Sequence, residues 1–147
     1  MLNQDNEVSS FAFLLYRCAI AFRNEMNREF LQVFNEELTA DYWFILSILW
    51  NDDNISHGLL AEKVSRDKAS LSRTLDLMEE KGLIKRVAAE DDKRGSRIAL
   101  TRKSREMKEK ATQTAIDFTQ NELKGLSPIE VKELARMLNH IFSNLRE

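Results

Sequence analysis

The chain has 147 residues, of which 43% are hydrophobic and 31% are charged, and its formal net charge is −2. This length suits one domain and is short for two independent cores, so we expect residues 1–147 to form a single unit. No apolar run approaches the length of a membrane span, and the N-terminal sequence lacks the basic and apolar regions of a signal peptide. The lone Cys18 excludes an internal disulfide framework and fits a reducing compartment, so a cytoplasmic location is expected.

Two helices are predicted before residue 52. The second begins after Thr39, which suits a helix N-cap, and continues through Trp50 to a turn at residues 51–54. Its many large apolar groups imply burial on more than one side. The first helix runs from about Val8 to Phe34, because apolar residues recur along it at helical spacing. These residues are Phe11, Leu14, Leu15, Cys18, Phe22, Met26, Phe30 and Val33.

The next two helices have the order of a helix-turn-helix unit. Ser56 caps a short helix that ends at Val64, and the second helix follows after a turn. Leu71, Leu75 and Met78 share one face of this second helix through their four-then-three spacing, so that face must be buried. Its opposite side suits base edges and phosphates in a major groove, although an ordinary amphipathic surface helix would carry the same pattern. The residues on that side or beside it are Lys68, Ala69, Ser70, Ser72, Arg73 and Asp76.

A glycine stop and a predicted β-hairpin follow the second helix. Gly82 most easily takes the left-handed conformation at a helix C-terminus. Residues 83–88 and 96–100 are predicted strands, and residues 90–95 form a charged tip that ends in a glycine. The order of helix and hairpin is that of a recognition helix followed by a β-wing. The alternative is a solvated charged hairpin.

Basic residues concentrate in this part of the chain. Residues 63–110 contain 15 Lys and Arg against 9 Asp and Glu, a net charge of +6, which leaves −8 on the rest. A positive segment on an acidic scaffold can dock on phosphate, unless the clustering is chance. At the wing tip, Arg94 fits the negative potential of a minor groove, and Asp92 is close enough in sequence to orient it. The predicted DNA-binding residues are Arg66, Lys68, Ala69, Ser70, Ser72, Arg73, Lys93, Arg94 and Arg97.

Two further helices are predicted after the hairpin. Thr101 can cap the first, which continues to about Leu123 and ends at Gly125. Residues 127–130, Ser-Pro-Ile-Glu, form a capping box with proline at the first helical position. The last helix carries an apolar stripe almost to its end, and such a stripe needs a partner surface or packing within the chain. Its residues are Ile129, Leu134, Leu138, Ile141, Phe142 and Leu145.

Several motifs together identify a family resemblance. They are Leu60–Lys63, Ser72–Arg73, Met78–Arg86, Asp92–Arg94 and Leu100–Thr101. Over nearly the whole chain this order resembles the MarR family of bacterial winged helix-turn-helix regulators. The wing is its most specific part, since the family's Asp-x-Arg tip and Leu-Thr strand end fall on Asp92, Arg94, Leu100 and Thr101. Family members commonly carry Gly three residues after that Thr, where this chain has Ser104, so the start of the next helix stays open.

The resemblance implies a mainly α fold with a small β-wing and about six helices. It implies a winged helix-turn-helix DNA-binding lobe at residues 36–100 and a helical dimerisation region at residues 1–35 and 101–147. A homodimer would place two recognition helices in successive major grooves of a pseudo-palindromic double-stranded DNA operator. The implied function is a sequence-specific transcriptional regulator that acts as a ligand-responsive repressor. The dimer interface is assigned to Phe11, Phe13, Leu14, Leu138, Ile141 and Leu145.

Family members often respond to small aromatic compounds that bind at the junction of the dimerisation region and the DNA-binding lobe. A ligand there weakens DNA binding if it prefers the conformation with wrongly spaced recognition helices. Aromatic residues at helical spacing are, however, more often core than ligand pocket. The candidate pocket residues are Tyr16, Trp43, Phe44, Trp50 and Phe118.

Three alternatives compete with this interpretation. The family includes peroxide sensors, but Cys18 is out of register with their cysteine, so we expect it to be a small buried apolar residue. An enzyme has little support: His57 and His140 are the only histidines, and no phosphate loop, cofactor motif or metal-spaced cluster is present. A winged-helix protein-interaction module would share the fold, yet it has no need for Arg94, Arg73 and Lys68 on one face.

Overall fold

Six α-helices and a three-stranded antiparallel sheet make up the described part of the computed structural model, residues 4–88 and 95–146. In chain order the elements are α1 (Gln4–Phe34), a 3-10 turn (Asn35–Glu37), α2 (Ala40–Asn51), β1 (Ile55–Ser56), α3 (His57–Lys63), α4 (Lys68–Glu80), β2 (Ile84–Ala88), β3 (Ser96–Leu100), α5 (Arg102–Glu122) and α6 (Pro128–Asn144). The predicted fold, mainly α with a small β-wing, is confirmed.

Side-chain caps define where α2 to α6 begin. The side chains of Thr39, Ser56 and Asp67 each accept a hydrogen bond from a backbone N–H in the first turn of α2, α3 and α4. At α6, Ser127 and Glu130 form a reciprocal capping box. Such caps satisfy N–H groups that have no partner inside the helix, and each contributes about 1 kcal/mol. The structure contains the predicted caps at Thr39, Ser56, Thr101 and Ser127, whereas the cap at Asp67 was not predicted.

The sheet has the strand order β1–β3–β2, and both pairs are antiparallel. β2 and β3 form the predicted hairpin, with Ile84 opposite Leu100. β1, in which Ile55 lies opposite Ile98, was not predicted because two residues are too few to show a strand period. The predicted wing-tip residues lie outside the described part of the chain; they are Asp92, Lys93 and Arg94.

The chain divides into two compact units, one ending at Thr114 and the other starting at Ala115. The first unit has a core of large, fully buried side chains from the segment between α1 and β2. They are Met26, Phe30, Leu38, Ile45, Leu46, Leu49, Leu60, Leu71, Leu75, Met78, Leu83 and Ile84. This core includes the three residues predicted to form the buried face of α4. Gly82, with φ of 71°, lets the chain leave α4 and enter β2.

Ser104, the departure from the family pattern, defines the start of α5. Its fully buried hydroxyl accepts a hydrogen bond from Thr101 N–H at 3.1 Å, while Thr101 Oγ1 accepts one from Ser104 N–H at 3.2 Å. Thr101 Oγ1 also donates to the Gly82 carbonyl at 2.6 Å, and Trp50 Nε1 donates to the Ser104 carbonyl at 3.1 Å. The pair therefore caps α5 and ties it both to α2 and to the turn between α4 and β2.

We expect Ser104→Ala to lower the free energy of unfolding by about 1 to 3 kcal/mol, because the Thr101 N–H loses its side-chain acceptor. Urea titrations at one fixed protein concentration would measure the loss. Ser143→Ala is the control, since the exposed Ser143 hydroxyl donates only to the Asn139 carbonyl of its own helix. Equal losses in the two variants would contradict the capping role.

The turn before β1 is organised by the Asp53 carboxylate. Its Oδ1 accepts hydrogen bonds from the backbone N–H groups of Asn54 and Leu100, both at 2.8 Å, and its Oδ2 accepts one from Arg105 Nη2 at 2.9 Å. Partial burial raises the pKa of Asp53, but these donors outweigh burial and hold the pKa below its usual value. One side chain thus joins the α2–β1 turn, the end of β3 and the start of α5.

We expect Asp53→Asn to reduce stability, and to reduce it most at neutral pH. Because the folded-state pKa is depressed, the carboxylate stabilises the fold above its unfolded-state pKa of about 3.9, and this contribution is lost as the pH falls through the folded-state pKa. In urea titrations, the gap between wild type and variant should close below about pH 4. Arg105→Gln, which removes one donor, should show a smaller gap with the same pH dependence. A gap independent of pH would contradict this linkage.

Candidate DNA-binding surface

The first two turns of α4 bring five of the predicted DNA-binding residues onto one short stretch of helix. Lys68, Ala69 and Arg73 are exposed, whereas Ser70 and Ser72 are half-buried. Burial of the opposite helix face fixes this arrangement, since each residue turns the helix by about 100°. Small side chains among the cations leave room for a helix to sink into a groove.

Arg86 of β2 locks the wing to α4, a role that the sequence analysis missed. Its Nη2 lies 2.8 Å from Asp76 Oδ1 and donates to the Ser72 carbonyl at 3.3 Å. Its Nη1 and its backbone N–H donate to the two carboxylate oxygens of Glu79, at 3.3 and 3.0 Å. Asp76 therefore serves this junction. In the sequence, only the helical spacing of Asp76 relative to Ser72 and Glu79 could be seen, and its partner Arg86 could not.

The guanidinium of Arg66 faces α4 from the preceding turn. Nη2 donates to Ser70 Oγ at 2.8 Å, to Thr74 Oγ1 at 2.9 Å and to the Ser70 carbonyl at 3.3 Å. A hydrogen bond from Arg23 lowers the pKa of Asp41 on α2, and the positive charge of Arg66 adds to this shift. Both Arg66 and Ser70 were predicted DNA contacts, and both already have partners within the protein.

Arg97 of β3 folds back on the turn that precedes β1. Its Nε donates to the Asn54 carbonyl at 2.9 Å and to Asn54 Oδ1 at 3.3 Å, and its Nη2 also donates to the carbonyl. Asn54 adopts a left-handed backbone with φ of 58°, which Asn tolerates better than most residues. Arg97 is half-buried as a result, and its head group supports the base of the wing.

The predicted pocket residues have different environments. The rings of Trp43 and Phe44 meet edge to face at 5.1 Å, and Trp50 donates to the Ser104 carbonyl. Tyr16 is 68% exposed on α1, and Phe118 is buried in the second unit. Of the five, Phe44 lines a cleft of about 310 Å³ with residues of α2, α3 and the turn before α4. The other lining residues are Asp41, Ile45, Ser47, Ile48, Lys63, Val64 and Arg66.

Both helices predicted to form a dimer interface carry exposed apolar side chains. On α1 they include Phe11, Phe13 and Leu14, which are about half exposed. No residue of α6 is buried. Leu138 is 41% exposed there, Leu145 beyond the helix end is 76% exposed, and Ile141 is partly covered.

The expected burial of Cys18 is wrong for the single chain. Cys18 is exposed, because the N-terminal half of α1 has little cover within its own unit. Within the described residues no helix is long and apolar enough to cross a membrane. The same part of the chain holds no group of three His, Cys, Asp or Glu residues that could bind a metal ion.

Comparison with known proteins agrees with this architecture. Residues 38–96, from just before α2 to the first residue of β3, match the MarR family model. A mutant of MarR from E. coli, solved in complex with operator DNA, aligns with a TM-score of 0.83 and 24% identity over 95% of this chain and 98% of that chain. The transcriptional regulator SlyA aligns with a TM-score of 0.81 and 24% identity over 92% and 93%. Reduced AbfR bound to DNA aligns with a TM-score of 0.78 and 19% identity over 98% and 97%.

The family model covers the helix-turn-helix and most of the wing, and the structural matches extend over both compact units. The resemblance read from the sequence motifs is therefore confirmed. Residues 38–96 thus match the MarR family of winged helix-turn-helix regulators, and the fold of the chain is that of solved MarR-type structures.

Proposed function

We propose that the protein is a sequence-specific DNA-binding transcriptional regulator. The observation that carries this proposal is the polar N-terminal half of α4, whose small and basic side chains face outward beside a β-wing. Proteins of this fold have been solved with DNA, including the MarR mutant and AbfR. DNA binding also accounts for the segregation of positive charge into residues 63–110.

The α4 side chains are assigned roles by their chemistry. Ala69 suits contact with a thymine methyl group, and Ser72 suits a base edge or a phosphate oxygen. Lys68 and Arg73 carry positive charge that suits contact with phosphates. Arg73 can alternatively form bidentate hydrogen bonds to the acceptors of a guanine. These four residues form the proposed reading surface.

The wing supplies the second proposed contact. Arg94 would enter the minor groove, where the negative potential is strongest in narrow A·T-rich stretches. Lys93 would add a phosphate contact, Asp92 would orient Arg94, and Arg97 would support the base of the wing. Such a contact adds affinity and a preference for groove shape rather than a direct reading of sequence.

A homodimer is proposed because apolar side chains on α1 and α6 are exposed in the single chain. An exposed apolar helix face of this kind requires a partner surface. A second copy supplies one by symmetry, with each patch on one protomer matched by its counterpart. The proposed interface residues are Phe11, Phe13, Leu14, Leu138, Ile141 and Leu145. Two α4 helices related by a two-fold axis would then read half-sites about one helical turn apart on a pseudo-palindromic operator.

We propose that the protein acts as a repressor in the cytoplasm. Its DNA binding would be controlled by a small aromatic effector. An effector that prefers the conformation with wrongly spaced α4 helices would lower DNA affinity through a coupling of about 1 to 3 kcal/mol. The proposed pocket residues are Tyr16, Trp43, Phe44, Trp50 and Phe118. The exposure of Cys18 favours one alternative input, redox sensing; a thiol left unmodified by mild peroxide would exclude it.

Arg73→Met tests the reading surface. We expect it to weaken binding to a duplex that the wild type has selected from a random library. If Arg73 holds a phosphate, the log–log salt slope should fall by about 0.9 with sequence preference unchanged; if it reads a base, the variant should also bind a scrambled duplex relatively better. Fluorescence anisotropy across a salt series measures both. Arg28→Gln is the control, since exposed Arg28 pairs with Glu25 on α1. Failure of the wild type to select any duplex would favour the protein-interaction module instead.

Leu138→Asp tests the dimer. A carboxylate in the proposed interface would be buried without a partner, so we expect the variant to elute as a monomer in light-scattering chromatography. Its affinity for the selected duplex should fall at least tenfold, because each half-site would be bound separately. Leu126→Asp is the matched control, with similar exposure in the loop between α5 and α6. A dimeric Leu138 variant would remove this residue from the interface.

A further inference from the structure

We propose that Arg66 is a positioning residue that holds the reading surface of α4 from inside the protein, and that it does not contact DNA. This inference rests on the proposed function. It starts from three donor contacts: Arg66 Nη2 reaches Ser70 Oγ, Thr74 Oγ1 and the Ser70 carbonyl at 2.8, 2.9 and 3.3 Å. With three oxygens within reach, both hydrogens of Nη2 are engaged inside the protein.

The backbone of Arg66 is anchored on the other helix of the helix-turn-helix unit. Its N–H donates to the Ala61 carbonyl of α3 at 3.1 Å, and the preceding Ser65 takes a left-handed conformation with φ of 53°. The side chain then runs along α4 as far as Thr74, more than one turn beyond Ser70. Arg66 thus connects α3 to the first two turns of α4 and constrains the angle between the two helices.

Its two hydroxyl partners lie on the flank of α4, beside the reading surface. At about 100° per residue, Ser70 and Thr74 fall between the buried face and the face of Ala69, Ser72 and Arg73. Ser70 is held twice, since its N–H also donates to Asp67 Oδ1 at 2.8 Å. We therefore assign Ser70 to anchoring of the helix start.

The charge of Arg66 is also partly compensated by the Asp41 carboxylate. Arg66 and Asp41 line the same cleft, and the positive charge contributes to the lowered pKa of that carboxyl, after Arg23. A guanidinium that bonds two hydroxyls and shares a cleft with a carboxylate attracts phosphate less than the exposed Arg73 does. The surroundings of Arg66 therefore fit a residue that positions α4 through contacts inside the protein.

Two variants separate positioning from contact. Arg66→Met removes the donor, and the double variant Ser70→Ala with Thr74→Val removes the two hydroxyl acceptors but keeps the charge and the Ser70 carbonyl. We expect each to weaken binding to the duplex selected by the wild type by about tenfold, while the log–log salt slope stays at the wild-type value. Arg66→Lys should restore only part of the affinity, because an ammonium cannot reproduce the planar fork.

A direct phosphate contact would give the opposite pattern. Arg66→Met would then lower the salt slope by about 0.9, as expected for Arg73→Met at a phosphate, and the double hydroxyl variant would bind like the wild type. Either result would overturn the proposal while leaving the DNA-binding function intact. If Arg66→Met fails to fold, the double variant decides.

Amide hydrogen exchange in the free protein gives a readout independent of DNA. We expect residues 69–76 to exchange faster in Arg66→Met and in the double hydroxyl variant, and at the wild-type rate in Arg73→Met. Unchanged amide exchange in the first two variants would overturn the proposal that Arg66 holds α4. If the wild type selects no duplex, the proposed function fails and this measurement alone decides whether Arg66 holds α4.

Discussion

Burial of one face of α4 is the constraint on which the rest of the surface depends. Leu71, Leu75 and Met78 are fully buried, and their burial fixes the rotation of α4 about its own axis. Because successive residues are about 100° apart, this seam also decides which side chains face outward. A slip of one position would bury Ser72 with no hydrogen-bond partner and expose an apolar face, each at a cost of about 1 to 3 kcal/mol. The apolar seam thus specifies the polar surface.

Burial of one face fixes the rotation of α4 about its axis but not the direction of that axis. Three sets of polar contacts fix the direction. Asp67 caps its first residues, Arg66 links its flank to α3, and Arg86 of β2 binds Asp76 and the carbonyl of Ser72. The three residues contact α4 either within the half that carries the proposed reading surface or directly beside that half. Hydrogen bonds to charged groups are among the stronger polar contacts in a partly covered environment, and they lose strength quickly with misalignment.

Most features with a local cause were predictable from the sequence, although the Asp67 cap was missed, and features that join distant segments were not. The caps at Thr39 and Ser127 follow from side chains that reach only three residues along the chain. The bond from Arg97 to Asn54 spans 43 residues, so no local pattern contains it. Ser104 lies between these cases. Its reciprocal bond with Thr101 is local, but a serine in place of the usual acidic capping-box residue gave no recognisable signal.

The two halves of α1 have different roles, and this difference connects the proposed dimer surface to the reading surface. Its C-terminal half is anchored in the core by Met26 and Phe30, while its N-terminal half carries exposed apolar side chains. A helix of 31 residues is about 46 Å long and transmits a displacement of one end to the other. Near the anchored half, Arg23 pairs with Asp41 at 2.7 Å, and Asp41 and Arg66 line the same cleft. A change in how two protomers pack along α1 would therefore act on the same arginine that holds α4, which gives dimer geometry a physical route to the orientation of the reading surface.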